Sequence, residues 1–244
     1  MINRILFLSE KPNAGMQLLL AFLFPFFTIV ALGIDSVLFA ERYFDGRQIT
    51  NVLSIAYFLI FFFASDSYLR KLMFTMVFLS YLGEIIFCKL LGMYHYRNDA
   101  IPLYVPFGHA IVYASGYVFA HTKWAFENER ILKKYFVIGF SLLFVLVGIL
   151  LNDVFSLISG VLFFLLLKRK KWQNLYFFIA LCVVFIELAG TYFQCWKWVP
   201  KIFGSVPTVN PPMGAVFYYS GGDVLLVKMV ALWKNKKLKQ IIPS

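Results

Sequence analysis

The sequence predicts an all-α polytopic transmembrane bundle of eight helices, arranged as two parallel four-helix repeats within one membrane domain spanning 1–244. Three observations carry this expectation. The 244-residue chain is 61% hydrophobic and only 14% charged, where a soluble domain is about 45–50% apolar and roughly 25% charged. Its apolar residues fall in long runs, with basic residues between them. A stretch beginning at Glu84 is written again from Glu187.

Eight apolar segments are marked in order, at about 17–39, 52–67, 70–93, 103–122, 134–151, 153–168, 173–195 and 213–233. A hydrocarbon core of about 30 Å takes roughly 20 helical residues to cross, so most qualify by length. The first follows Arg4 and Lys11, but it is long and no small-residue cleavage pattern follows, so it reads as an uncleaved helix. The second and sixth are short and the break at Asn152-Asp153 is tight, which leaves seven helices as the alternative count.

Charge decides between the counts, because Lys and Arg concentrate on the cytoplasmic side. With eight helices and both termini cytoplasmic, sixteen basic residues fall inside: Arg4, Lys11, Arg70, Lys71, Lys123, Arg130, Lys133, Lys134, 168–171, Lys234, Lys236, Lys237 and Lys239. Five fall outside: Arg42, Arg47, Arg97, Lys197 and Lys201. Seven helices would send either Lys168–Lys171 or the lysine-rich tail outside. The net charge of +11 is thus a topology signal at an anionic leaflet and no nucleic-acid footprint. A bacterial inner membrane is the expected location. Cys88, Cys182 and Cys195 lie in or at the end of apolar runs without Cys-x-x-Cys spacing, as small hydrophobes do.

The repeat covers about 17–124 and 134–234. Glu84 aligns with Glu187, and Tyr94 and Tyr96 with Trp196 and Trp198. Further on, Ala110-x-x-Tyr113-x-Ser115-Gly116 matches Ala215-x-x-Tyr218-x-Ser220-Gly221. Four helices per unit would leave the copies parallel, with a shared site at the pseudo-axis between them. Chance alignment of aromatic-rich sequence is the alternative.

Ionisable groups at membrane depth cost about 2.5–3.5 kcal/mol, so they usually face a cavity or a partner. At about 1.5 Å per residue, Glu84, Glu187, His109 and Asp223 all fall between the midplane and the outer interface. Helical spacing puts Ser80, Glu84 and Cys88 on one stripe, and Glu187, Gly190, Thr191 and Gln194 on another. His109, Tyr113 and Gly116 share a face, as do Tyr219, Gly222 and Asp223. Such stripes also serve simply to join helices. Asp35 and Asp66 lie near helix ends and need no special role.

The candidate substrate-binding residues are Tyr94, Tyr96, Tyr113, Trp196, Trp198, Tyr218, Tyr219 and Asn210. The aromatics at the outer boundary equally suit an interfacial belt. Pro102, Pro106, Pro200, Pro207, Pro211 and Pro212 stiffen both outer loops. A stiff aromatic lid over a polar pocket suits an apolar ligand. The three histidines cannot supply a membrane di-iron set, and no phosphate-binding loop, Ser-x-x-Lys or His-Glu-x-x-His motif occurs. No metal or cofactor is expected.

Glu84, Tyr94-His-Tyr96 and Ile101-Pro-Leu-Tyr-Val-Pro106 resemble elements of integral-membrane carotenoid biosynthesis proteins of the hydratase type. Trp196-Lys-Trp198, Phe203-Gly-Ser-Val-Pro207 and Asn210 are similar to that family's later Trp-x-Trp and Gly-Val-Pro-x-x-Asn pattern. The likeness covers about 25 residues in each half, and the family's acidic residue before the second aromatic pair has no counterpart other than Glu187. The resemblance implies acid-catalysed addition of water to, or rearrangement of, an isoprenoid double bond.

Three functions remain open on the sequence. The first is a lipid- or isoprenoid-modifying enzyme with Glu84 and Glu187 as acid and base, supported by Asp223 and His109. The second is a small proton-coupled transporter or exporter, with Lys89 and Lys228 available for ion pairing. The third is a non-catalytic membrane assembly protein. The expected partner is a membrane lipid or apolar small molecule, with no nucleic acid; the oligomeric state is not set.

Overall fold

The protein, seen as a computed structural model, is described at residue 8 and residues 13–241, the side chains of 234–241 excepted. The inner-face basic side chains counted at Arg4, Lys11, Lys234, Lys236, Lys237 and Lys239 lie outside the described residues.

The first half begins with α1 (Ala14–Ile34), a short α2 (Val37–Arg42) and α3 (Arg47–Ala64). Buried polar side chains tie α1 to α3: Gln17 Nε2 donates to Ala64 O at 3.1 Å, Thr50 Oγ1 to Ala31 O at 2.8 Å, and the Tyr57 hydroxyl to Leu20 O. Asp66 caps α4 (Ser67–Glu84) by accepting from the backbone N–H groups of Tyr68 and Leu69, which satisfies amides that a helix start leaves unpaired. α4 then widens into a π-turn over Ile85–Leu90. Strand β1 (Tyr94–Tyr96) follows, then α5 (Tyr104–Ala120) and a short α6 (Lys123–Glu127).

The second half runs through α7 (Glu129–Leu150), α8 (Val154–Leu167), α9 (Gln173–Tyr192), β2 (Trp196–Trp198), a ribbon of β3 (Lys201–Ile202) and β4 (Val206–Pro207), and α10 (Ala215–Ile241). Strands β1 and β2 pair antiparallel, Tyr94 opposite Trp198 and Tyr96 opposite Trp196. The stiff loops expected from the prolines are therefore partly short ribbons, of which β1–β2 joins the two halves.

The fold is all-α with these small ribbons. Among the described residues, six helices are long and apolar enough to cross a membrane: α1, α3, α4 with its π-turn, α7, α9 and α10 as far as Trp233. The other two expected spans fold as α5 and α8, which at 17 and 14 residues are shorter. The outer surface carries large apolar side chains such as Phe22, Phe26, Phe63, Ile149 and Leu150, each more than 60% exposed. Water would penalise that surface at about 25 cal/mol per Å²; a bilayer does not, and the chain is an integral membrane protein by this criterion.

Helix α5 is the centre. It packs against α1, α3, α4 and α9, and most of its residues are buried on every side. Gly116 permits the closest approach: a Cβ there would lie 2.7 Å from the Ile179 backbone on α9. In the second half α10 packs against α4, α8 and α9.

The expectation that Asp35 needs no special role is overturned. Its side chain is fully buried between Arg47 Nε (3.2 Å), Arg97 Nη2 (2.9 Å) and the Tyr104 hydroxyl (2.8 Å). Arg47, expected in a loop, is the buried first residue of α3, and Arg97 also reaches Asp45 at 2.5 Å. A carboxylate taken out of water needs such partners, and they come from three separate elements that no local pattern connects.

Candidate functional site

Alternate residues of a strand point to the same face. Tyr94 and Tyr96 on β1, and Trp196 and Trp198 on β2, therefore turn together into the bundle, while His95 and Lys197 between them are exposed. The antiparallel register brings the rings into contact across the ribbon, Tyr94 with Trp198 at 4.7 Å and Tyr96 with Trp196 at 6.2 Å between centroids. These four aromatics are 5–9% exposed. They form a buried roof and no interfacial belt.

Each aromatic pair grips the carboxylate of the helix before it. Glu84, at the last position of α4, accepts on Oε2 from Tyr94 (2.9 Å) and Tyr96 (2.7 Å). Glu187, on α9, accepts on Oε2 from the indoles of Trp196 (3.0 Å) and Trp198 (3.1 Å). Gly190 makes the second grip possible, because a Cβ there would fall 1.9 Å from the Trp196 ring. Burial, foremost, and the adjoining Glu84 push the Tyr94 and Tyr96 phenols well above their ordinary pKa, so both remain donors.

An indole can only donate, whereas a phenol can donate or accept. Oε2 of Glu187 thus holds two irreversible hydrogen bonds, and any proton on that carboxyl belongs on Oε1. Glu84 has phenols at Oε2 and a histidine near Oε1, where His109 Nε2 stands 3.6 Å away. The other ring nitrogen, Nδ1, is 3.0 Å from Val105 O. A carbonyl oxygen only accepts, so Nδ1 carries hydrogen and Nε2 is left to exchange a proton. The imidazole lies flat on Tyr219, with 4.9 Å between centroids and 4° between planes.

Glu84, Glu187 and His109 line one cavity of about 390 Å³. Tyr94, Tyr96, Trp196, Trp198, Tyr218 and Tyr219 line it too, and apolar side chains of α1, α4, α5 and α10 supply most of the remaining wall. Asp223 does not join them. It is buried, bonded through Oδ1 to the Tyr113 hydroxyl (2.8 Å) and through Oδ2 to that of Tyr176 (2.5 Å). This second cluster accounts for Tyr113 as well, one helical turn along from His109.

Asn210 also stays out of the cavity. Its Oδ1 accepts from the Trp198 backbone N–H at 2.9 Å and fixes β2 from outside. Lys89 donates to the Asp99 carbonyl, Lys228 is exposed, and neither reaches the cavity. Among the described residues no group of three or more His, Cys, Asp or Glu is placed to hold a metal ion. Cys88, Cys182 and Cys195 are free and buried.

Sequence reasoning missed Tyr176 and Gly190 as parts of these clusters. Gly190 stood on the Glu187 stripe, but a glycine's role there depends on where Trp196 lands. None of the known protein families, curated proteins or solved structures matches this chain.

Proposed function

We propose that the chain is an intramembrane acid–base enzyme acting on an isoprenoid or similarly unsaturated lipid. The observation that carries this reading is the Glu84–His109 contact inside a largely apolar, aromatic-rich cavity that also holds Glu187. One bridging water, or a closure of a few tenths of an ångström, lets this glutamate and histidine pass a proton, and low dielectric strengthens whatever charge they stabilise.

The chemistry follows from the groups present. Glu84, as the acid, gives its proton to one carbon of a double bond; the π electrons form the new C–H bond and a cation develops on the adjacent carbon. The faces of Tyr94, Tyr219, Trp196 and Trp198 favour such a cation. Either water adds to it, losing a proton to Glu187, or a neighbouring C–H gives its proton to Glu187 and a shifted double bond results. Glu187 releases the proton it gained to water, and His109, taking a proton from water on Nε2, passes it to Glu84, which restores the starting acid. This is the reaction class implied by the resemblance to carotenoid hydratase-type proteins.

The proposal extends to architecture. Eight helices cross the membrane, including the shorter α5 and α8, with both termini cytoplasmic and the cavity in the outer half. The halves are parallel repeats, and the support is chemical: Glu84 with Tyr94 and Tyr96 matches Glu187 with Trp196 and Trp198, donor for donor.

The test is mass spectrometry of lipids co-purifying with the wild type and with a Glu84→Gln, Glu187→Gln double variant. A specific unsaturated lipid that accumulates only on the variant supports the enzyme and names its substrate. If neither protein carries a specific lipid, and proteoliposomes show proton-coupled flux that the variant lacks, transport replaces it.

A further inference from the structure

α4 packs against α10 along a seam that aromatic pairs clasp at two levels, with a glycine-bordered gap between them. Phe74 meets Trp233 with ring centroids 6.2 Å apart, and toward the ribbon end Phe87 meets Tyr218 at 4.9 Å. Phe74 and Phe87 are 13 positions apart, which at about 1.5 Å per residue separates the clasps by roughly 20 Å. Between them stand Gly83 on α4 and Gly221 and Gly222 on α10, all lining the cavity. A Cβ added at Gly221 or Gly222 meets nothing within 4 Å, so both positions border empty space.

Exposure locates the mouth. Of the residues that line the cavity, only Leu82, Ile86 and Leu225 are also exposed on the outside of the bundle, at 54%, 37% and 53%. All three belong to the helices of this seam, Leu82 and Ile86 to α4 and its π-turn and Leu225 to α10. The π-turn over Ile85–Leu90 forms one side of it, a local widening that recurs at functional sites. The ribbon end, by contrast, is roofed by the four buried aromatics. The neighbouring outer surface is apolar, with Phe78 and Tyr81 exposed on α4, so the gap faces lipid.

We infer that this gap is a lateral window through which the chain of a membrane-dissolved isoprenoid enters from the bilayer, its reacting double bond reaching Glu84 and His109. The inference rests on the acid–base reading of the cavity and adds the route and the shape of the substrate. A cavity of about 390 Å³ is near the small end of ligand sites, about 300–1,000 Å³. It holds the reacting portion while the remainder of the chain trails through the window into lipid. Substrate length beyond the reacting portion is therefore limited by the bilayer and not by the cavity.

The full chain in phosphatidylcholine nanodiscs is irradiated with a polyprenol carrying a diazirine at its hydrocarbon end, and adducts are mapped by mass spectrometry. Wild-type protein is expected to carry adducts inside, on Glu84 or Tyr219, and at the rim, on Leu82 or Leu225. In Gly222→Leu the inner adducts fall about tenfold, a loss of about 1.4 kcal/mol of occupancy, and the rim adducts persist. Leu225→Trp, whose side chain is already on the surface, gives the same result if Gly222→Leu disturbs folding. Inner adducts unchanged in both variants overturn the window and leave the acid–base reading standing. Their absence from wild-type protein overturns the window and the substrate class together. Adducts that follow the expected pattern, with no turnover of any isoprenoid, uphold the window and sink the acid–base reading alone.

Discussion

Oε1 of Glu84 lies 3.6 Å from Nε2 of His109, slightly longer than a hydrogen bond, and the histidine is oriented by a carbonyl that fixes its other nitrogen as a donor. The pair is set to move one proton between a carboxyl and an imidazole. Glu84→Gln keeps an acceptor for both phenols while removing the acid. Turnover of the lipid identified by co-purification is expected to drop roughly 10²- to 10⁴-fold, with the thermal midpoint little changed. A glutamine variant with wild-type turnover would remove Glu84 from the chemistry.

The two aromatic grips should be energetically real. Tyr96→Phe removes one donor from Glu84, and Trp196→Phe one from Glu187. Leaving a buried acceptor short of a partner costs about 1–3 kcal/mol, readable as a lower unfolding midpoint in mild detergent. A double-mutant cycle of Tyr96→Phe with Glu84→Leu, which removes the acceptor, is expected to show coupling of about 0.5–3 kcal/mol. Strict additivity would mean that the 2.7 Å contact contributes nothing.

Asp35 and Asp45 both meet Arg97, yet their burial predicts opposite outcomes. Asp35 is fully buried and Asp45 is 51% exposed. Asp35→Ala strands Arg47 and Arg97 without their shared partner and is expected to cost about 3–5 kcal/mol. Asp45→Ala breaks an exposed pair, worth about 0–1 kcal/mol. Comparing the two variants in one unfolding assay checks the contrast, and equal losses would contradict the buried network.

Alkaline pH should attack the roof. The Tyr94 and Tyr96 phenols are raised well above their ordinary pKa of about 10 by burial and by Glu84. A folded-state pKa above the unfolded value gives stability that is complete below the unfolded pKa and declines as pH climbs past it. Stability is expected to hold to about pH 10 and then fall, with less of a fall in a Tyr94→Phe, Tyr96→Phe variant. Phenolate absorbance measured against pH checks this: early ionisation of these two tyrosines in folded protein would count against their bonds to Glu84.

The sequence by itself determined the solvent and the positions of the long helices, and left the β1–β2 and β3–β4 ribbons and the π-turn to the structure. Apolar runs longer than a soluble core needs leave the bilayer as the stable environment, and six of them fold as helices that can cross it. It also exposed Glu84, Glu187 and His109, because an ionisable residue in an apolar run stands out against its neighbours. Only the tertiary structure decided which of these meet. Asp223 resembles them in the sequence but is tied off by Tyr113 and Tyr176, since the partner of a helical side chain depends on the rotation and crossing of other helices. The same holds for Asp35, whose partners Arg47, Arg97 and Tyr104 are 12, 62 and 69 positions away. The aromatic pairs read equally well as a belt or a lid until the β1–β2 register turned them inward. Periodicity states which residues share a face; packing alone states what that face touches.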